Sequence, residues 1–222
     1  MSNAAQFFQA IHAGDENTVK ALLDAEPALA GAKNERGQSA VLAGVYSGRN
    51  AIRDLLLSRG VSLELHEAAA AGQLEKVKQI VGVNPPMAKS YSPDGFPVVA
   101  LAAAFGHPLV AEYLREKGAD VNAVATNGTG YNALTGAVAN GHTDIVAWLL
   151  ANGANASYRY GPGYSPLLES AANGRLEIVK LLLNHGADLR ATADDGQTAA
   201  SLAEARGHKE VAEFLRGRAA SA

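Results

Sequence analysis

Seven glycines, each closing an alanine-rich run, punctuate the chain at Gly14, Gly48, Gly72, Gly106, Gly141, Gly174 and Gly207, at steps of 34, 24, 34, 35, 33 and 33 residues. A period of that size leaves few options. The chain is an array of similar units, each too small to bury its own apolar face. After each glycine the apolar residues fall at helical spacing. Gly106-His107 precedes Val110 and Leu114. Gly141-His142 precedes Ile145, Val146, Leu149 and Leu150. Gly174-Arg175 precedes Ile178, Val179, Leu182 and Leu183, and Gly207-His208 precedes Val211 and Leu215. Such spacing marks one face of a helix. Gly118, Gly153 and Gly186 then close the helices, where a chain turns through the left-handed region. The segment before each repeating glycine reads as a second, shorter helix. Ser165 is its N-cap and Pro166 its first helical residue in one unit, and Ser39, Asn132 and Thr198 hold the cap position in others. Ala68-Ala69, Ala102-Ala103, Ala137 and Ala171 fall where the two helices of a unit pack antiparallel at close range. The 45 alanines, against 13 aromatic residues, suit thin stacked layers better than one thick globule.

These motifs resemble the ankyrin repeat family, whose pattern runs G-x-T-P-L-H-x-A-A-x-x-G-H, an apolar helix, then L-L-x-x-G-A-D. The matching segments are Gly163-Tyr-Ser-Pro-Leu-Leu-Glu-Ser-Ala-Ala-Asn-Gly-Arg175, Leu65-His66-Glu67-Ala68-Ala69, Gly118-Ala119-Asp120-Val121-Asn122, Gly153-Ala154-Asn155 and Gly186-Ala187-Asp188. The resemblance spans residues 4–216. It implies an all-α ankyrin-repeat solenoid of about seven antiparallel helix pairs, with β-turn fingers projecting at right angles. A single domain over 1–222 is expected. Its units are 4–33 (the N-terminal cap), 34–62, 63–91, 92–126, 127–159, 160–192 and 193–218 (the C-terminal cap). Asp15, Glu16, Lys20 and Asp24 in the first unit make one polar outer face. Lys209, Glu210, Glu213, Arg216 and Arg218 in the last make another. A complete, free-standing and monomeric array is therefore expected.

Departures from the period predict irregularities in the row of fingers. Gly60 to Leu65 is 5 residues, where Gly153 to Leu167 is 14, so one finger is missing near 60–64. Gly118 to Leu134 is 16, so the finger at 125–130 is taller. The third helix pair ends at Asn84-Pro85-Pro86. There Asn84 is expected to take the left-handed cap before proline stops the helix.

The formal charge of −3 and pI near 6.1 offer no basic surface for nucleic acid or an anionic membrane. With no cysteine there is no disulfide, thiolate metal site or cysteine nucleophile. Met1 to Phe8 lack the basic start and apolar run of a leader. The apolar stretch Val98–Leu114 is broken by His107, Pro108 and Glu112, too soon for a membrane span. A cytoplasmic location is expected, and an exported effector without a cleavable signal would read the same way. His107, His142 and His208 follow the repeating glycines, and His66 fills the leucine-histidine slot. The resemblance makes all four structural, the first three bonded to backbone of the loop. No histidine has a metal-ligand partner at helical spacing, and no carboxylate pair is placed for acid–base work. Asn127-Gly128-Thr129-Gly130 and Gly161-Pro162-Gly163 lack the lysine of a phosphate loop and read as finger tips. No enzyme activity, cofactor or metal is expected.

The aromatic residues divide. Trp148, Tyr113 and Phe214 share one slot of the second helix and read as packing residues, and Phe7 and Phe8 belong to the cap. Phe96, Tyr131 and Tyr164 directly follow a finger glycine in three successive units, a slot that by resemblance faces the concave groove. Tyr91, Tyr158 and Tyr160 lie on finger segments, and Tyr46 and Phe105 near the ends of the first helices. An aromatic stripe from Phe96 through Tyr131 to Tyr164, with Tyr46, Phe105, Asn140, Tyr158, Arg159, Tyr160 and Asn173 nearby, is one reading. Tyrosine gives broad contact at low entropy cost. The other reading is rings that pack between fingers and stiffen the row. The function expected is a non-catalytic protein–protein interaction module, its partner a protein of unnamed identity. The alternative is a small-molecule or peptide pocket, weakly catalytic at most, in the same aromatic groove.

Overall fold

The computed structural model describes residues 3–220. Met1 and Ser2, part of the segment read above as lacking a leader, fall outside them, as do residues 221 and 222. Fourteen α-helices follow one another among the described residues, and they pair as seven hairpins. The pairs are α1 (Asn3–Ala13) with α2 (Glu16–Ala25), α3 (Ala40–Tyr46) with α4 (Asn50–Ser58), and α5 (Leu65–Ala70) with α6 (Leu74–Val83). They continue with α7 (Val98–Ala104) and α8 (Pro108–Glu116), α9 (Ala133–Asn140) and α10 (Thr143–Ala151), α11 (Pro166–Ala172) and α12 (Leu176–Asn184), and α13 (Ala199–Ala205) and α14 (Lys209–Ala220). Odd-numbered helices pack on odd and even on even, giving an inner and an outer row. The fold is the all-α repeat solenoid that the period implies.

Local chemistry sets the helix starts. Ser39, Asn132, Ser165 and Thr198 each accept the N–H of the residue three along, as the sequence predicts. Helix α5 is capped differently: the Glu67 carboxylate accepts the Glu64 N–H at 2.8 Å. The expectation for Asn84 is overturned. Its φ is −136°, and every positive-φ residue described is glycine. The chain instead passes from Asn84 into a 3-10 helix, Pro85–Lys89, and the first unit does the same at Pro27–Gly31. Proline at the first position of each fixes φ for that tight turn. Ala30 and Ala88 are buried in the two turns.

The core is two contiguous clusters along the stack. One runs from Phe7 to Ala119 and the other from Ala100 to Leu215, with Trp148 half-buried against both. Tyr113 and Phe214 are half-buried against the same clusters, as their slot predicts. Small residues let the inner helices approach. A Cβ on Gly136 of α9 would stand 2.8 Å from the Ala104 Cβ of α7. Steric room at that contact decides the residue, because any side chain would push the two helices apart.

Successive units are also joined at the turns between inner and outer helix. His107 Nε2 lies 3.0 Å from the Ala70 carbonyl, and His142 Nε2 3.0 Å from that of Ala104. Arg175 Nη2 donates to the Ala139 carbonyl at 2.9 Å, and Arg49 Nη2 to that of His12 at 3.1 Å. The His208 ring rests on Gly174. His107 and His142 are structural, but they bond the backbone of the preceding unit rather than their own loop, and His66 instead lies 3.7 Å from Glu64 of its own unit. Each rung takes up a carbonyl at or near the end of the preceding inner helix, where carbonyls lack intrahelical partners. The exception is between the second and third units. Gln73 occupies the rung position there, and its amide turns to Ala71 of its own unit at 3.4 Å.

Two outcomes follow. Gly106 has φ +83°, and a Cβ there would meet His142 Cε1 at 2.8 Å, whereas Gly153, at φ +86°, has open space. Gly106→Ala is expected to lower unfolding free energy by about 2–4 kcal/mol, and Gly153→Ala by about 1 kcal/mol. Equal losses in urea titrations would remove the histidine rung from the account. Burial, followed by the charges of Arg53 and His142, holds His107 below the ordinary 6.5 of imidazole. The unfolded chain therefore binds a proton that the folded chain refuses. This part of the stability is complete above pH 6.5, falls as pH drops through 6.5, and levels off below the folded value. Urea midpoints from pH 7.5 to 5 should slope less for His107→Gln than for the parent chain.

Candidate partner-binding groove

Five of the ten residues singled out in the sequence meet at one hollow. Phe96 and Tyr131 come from two fingers, Phe105 follows α7, Tyr46 ends α3, and Asn140 ends α9. With Ala100, Leu101, Ala104, Gly136 and Ala139 they line a cavity of about 360 Å³ between finger row and inner helices. No charged side chain lines it. Alanine and glycine on α7 and α9 leave the space, and the rings form its walls. Tyr131 is 46% exposed, the most open of the rings that line it.

Tyr46 and Phe105 stack at 5.3 Å between centroids. They come from the second and fourth units, and their rings meet across the third, where Ala70 and Ala71 offer no side chain of comparable size. The Tyr46 hydroxyl also donates to Asp94 Oδ2 at 3.0 Å. Burial, then the Asp94 carboxylate, drives the Tyr46 phenol well above its ordinary range, so it remains a donor. Where the sequence omits a finger and a rung, this tyrosine ties the second unit to the fourth.

The other five lie apart from the hollow. Tyr160 is 9% exposed, placing it in the packing between fingers rather than in an open stripe. Its ring packs edge-on against Tyr131 at 5.5 Å and stacks on Tyr158 at 6.3 Å. Its hydroxyl faces Glu169 Oε2 at 3.4 Å, and burial, with the Glu169 charge, raises its pKa. Arg159 donates to the Thr192 carbonyl at 3.1 Å and approaches Asp194 at 3.6 Å, joining adjacent fingers. Tyr164 is half-buried against the second core cluster, and Asn173 donates to Glu169 at 2.9 Å. The stripe therefore divides: rings around the hollow on one side of Tyr131, finger packing on the other.

The finger irregularities are as predicted. Fingers close by a bond between residues four apart, as Ser92 N–H to the Phe96 carbonyl at 2.8 Å, but Ala125 N–H reaches the Tyr131 carbonyl, six residues on, at 2.7 Å. The missing finger leaves a second hollow of about 490 Å³, walled by Arg36 and Gly37 on one finger and Pro93 and Asp94 on the next. His66 and Tyr46 form part of its floor. Sequence reasoning named the notch but not Arg36, Pro93 and Asp94. Their signal was available, since each sits on a finger flanking the gap. Among the described residues no group of three His, Asp or Glu side chains could hold a metal, and no helix is long and apolar enough to cross a membrane.

A family model for ankyrin repeats, in three copies, matches residues 65–160 and again 137–221, more than half of the sequence. Ankyrin repeats are generally protein–protein interaction modules and typically lack catalysis. The matched segments hold the missing finger's far wall, the taller finger and most of the aromatic hollow. With seven helix hairpins in register, the chain belongs to the ankyrin repeat family.

Proposed function

We propose that this protein is a non-catalytic interaction module that holds a partner protein in its concave groove and at its finger tips. The observation that carries the reading is the uncharged aromatic hollow with Tyr131 open beside it. An apolar recess ringed by aromatic side chains favours the buried anchor residue of a partner, since such anchors dominate interface energy. Rigid helices on one side and braced fingers on the other keep the recess formed before binding, which lowers the entropy lost on association. The volume, about 360 Å³, also falls within the range of small-molecule sites. A small apolar ligand is the second reading, and a metabolite screen by thermal shift addresses it.

Tyr131 and Tyr160 separate contact from bracing. Tyr131→Ala should shift unfolding free energy by less than about 1 kcal/mol and reduce partner retention on an affinity column by at least about tenfold. Tyr160→Ala should cost about 3 kcal/mol, because it removes a buried ring between two others. Recovery of the same partners at the same level by parent, Tyr131→Ala and Phe105→Ala would exclude the groove as the contact surface.

A further inference from the structure

Six steps in the chain place glycine directly after asparagine or aspartate: Asp94–Gly95, Asn127–Gly128, Asn140–Gly141, Asn152–Gly153, Asn173–Gly174 and Asp195–Gly196. Such a step can react with itself. Glycine has no side chain to crowd the approach, so its nitrogen can attack the side-chain carbonyl carbon of the residue before it and close a five-membered ring. In five of the six the glycine N–H is already bonded. Gly95 donates to the Ser92 carbonyl at 2.9 Å, Gly141 to that of Val138 at 3.2 Å, Gly153 to Leu150 at 3.2 Å, Gly174 to Ala171 at 3.1 Å and Gly196 to Ala193 at 2.9 Å. Asn140, Asn152 and Asn173 also stand at the ends of α9, α10 and α11. At Asn152 and Asn173 ψ is 20° and 6°, which turns the following nitrogen away from the side chain. Bringing it round would break the bonds that end the helix.

The Gly128 N–H has no partner among the described residues. Gly128 is exposed at the tip of the taller finger with φ +82°, and nothing lies within 4 Å of where its Cβ would be. The step is open to water. Its side-chain carbonyl is also held. Asn127 Oδ1 accepts the Thr129 N–H at 3.1 Å and the Thr129 hydroxyl at 2.6 Å, a turn whose ring encloses the Gly128 nitrogen. Attack moves negative charge onto Oδ1, where both donors already point.

We propose that Asn127 is a self-modification site, converted to aspartate and isoaspartate with the help of the Thr129 hydroxyl. The Gly128 nitrogen bonds to the Asn127 side-chain carbonyl carbon. The bond from that carbon to Nδ2 breaks, and ammonia leaves with the proton that the Gly128 nitrogen gives up. Water then opens the cyclic imide. Opening at the side-chain carbonyl gives aspartate. Opening at the main-chain carbonyl gives isoaspartate, in which the chain runs through the former side chain. Either product carries one new carboxylate. The chemistry does not depend on what the groove holds, but its consequence reaches the groove. Asn127 Nδ2 donates to the Asp94 carbonyl at 2.8 Å and ties the taller finger to the one before it. The product has no donor there, and its charge comes close to Asp94, whose carboxylate accepts the Tyr46 hydroxyl. Tyr131 closes the modified finger. Two walls of the aromatic hollow, Tyr46 and Tyr131, should therefore loosen.

The test keeps the full-length protein in mildly alkaline buffer, digests it at acidic pH, and assigns each converted asparagine from fragment masses. Asn127 is expected to convert at least about tenfold faster than Asn140, Asn152 and Asn173 in the folded protein, and at a rate similar to theirs in concentrated urea. Equal rates at the four in the folded protein overturn the site. Thr129→Val keeps the N–H and loses the hydroxyl, and it should slow conversion several-fold. Conversion at the parent rate or faster overturns the part given to Thr129, because a side chain merely locked by that hydroxyl would react faster on release. Asn127→Asp carries the product's charge from the start. In ¹⁵N-labelled protein it should move the Asp94 and Tyr131 amide resonances, and shifts confined to residues 126–129 overturn the reach to the hollow.

Discussion

The side chain that follows most of the repeating glycines and reaches back to the unit before it is the contact on which the stack depends. Most contacts in a solenoid join adjacent units, so its cohesion is largely the sum of what neighbours share. Apolar burial between inner helices supplies most of that, but burial is not directional. The rungs from Arg49, His107, His142 and Arg175 are directional, because each has one carbonyl to meet. They also explain the glycine of the unit before: the next unit's ring or guanidinium lies where a Cβ would be at Gly14, Gly72, Gly106 and Gly141.

The junction between the second and third units lacks both a rung and a finger. Its remaining strength lies in the packing of α3 on α5 and in Tyr46, which bypasses the third unit to reach Asp94 and Phe105. The same sequence economy creates both hollows. A short α5 with alanine at its end gives the Tyr46–Phe105 stack a place to lie, and the absent finger opens the notch beside it. The junction without a rung and the proposed recognition surface thus lie at one place, in keeping with the tendency of binding regions to draw on the less stable parts of a fold.

The fold was legible because each level of the pattern agreed with the next. Period, cap residues, closing glycines and apolar spacing all pointed to helix hairpins in register, and the lengths of 5 and 16 residues between hairpins located the short and tall fingers. Asn84 was misread because its tolerance of the left-handed region was considered alone. The matching pair Pro27-Ala28-Leu29-Ala30 and Pro85-Pro86-Met87-Ala88 carried the better signal, a 3-10 turn used twice. The candidate site was half legible. Phe96, Tyr131 and Tyr164 share a slot in the repeat, yet they differ in surroundings: Tyr131 stands open, while Tyr164 is half-buried.

By itself the sequence determined the unit, its number and its irregularities, because helix periodicity and turn chemistry act over a few residues and repeat. The tertiary structure decided which aromatic residues face a cavity and which brace a finger. That choice rests on contacts between units some 30 to 60 residues apart in sequence, such as Tyr46 with Phe105 and Tyr131 with Tyr160. A ring's slot fixes where its Cα sits, but the side chains of the neighbouring unit fix whether the ring is covered.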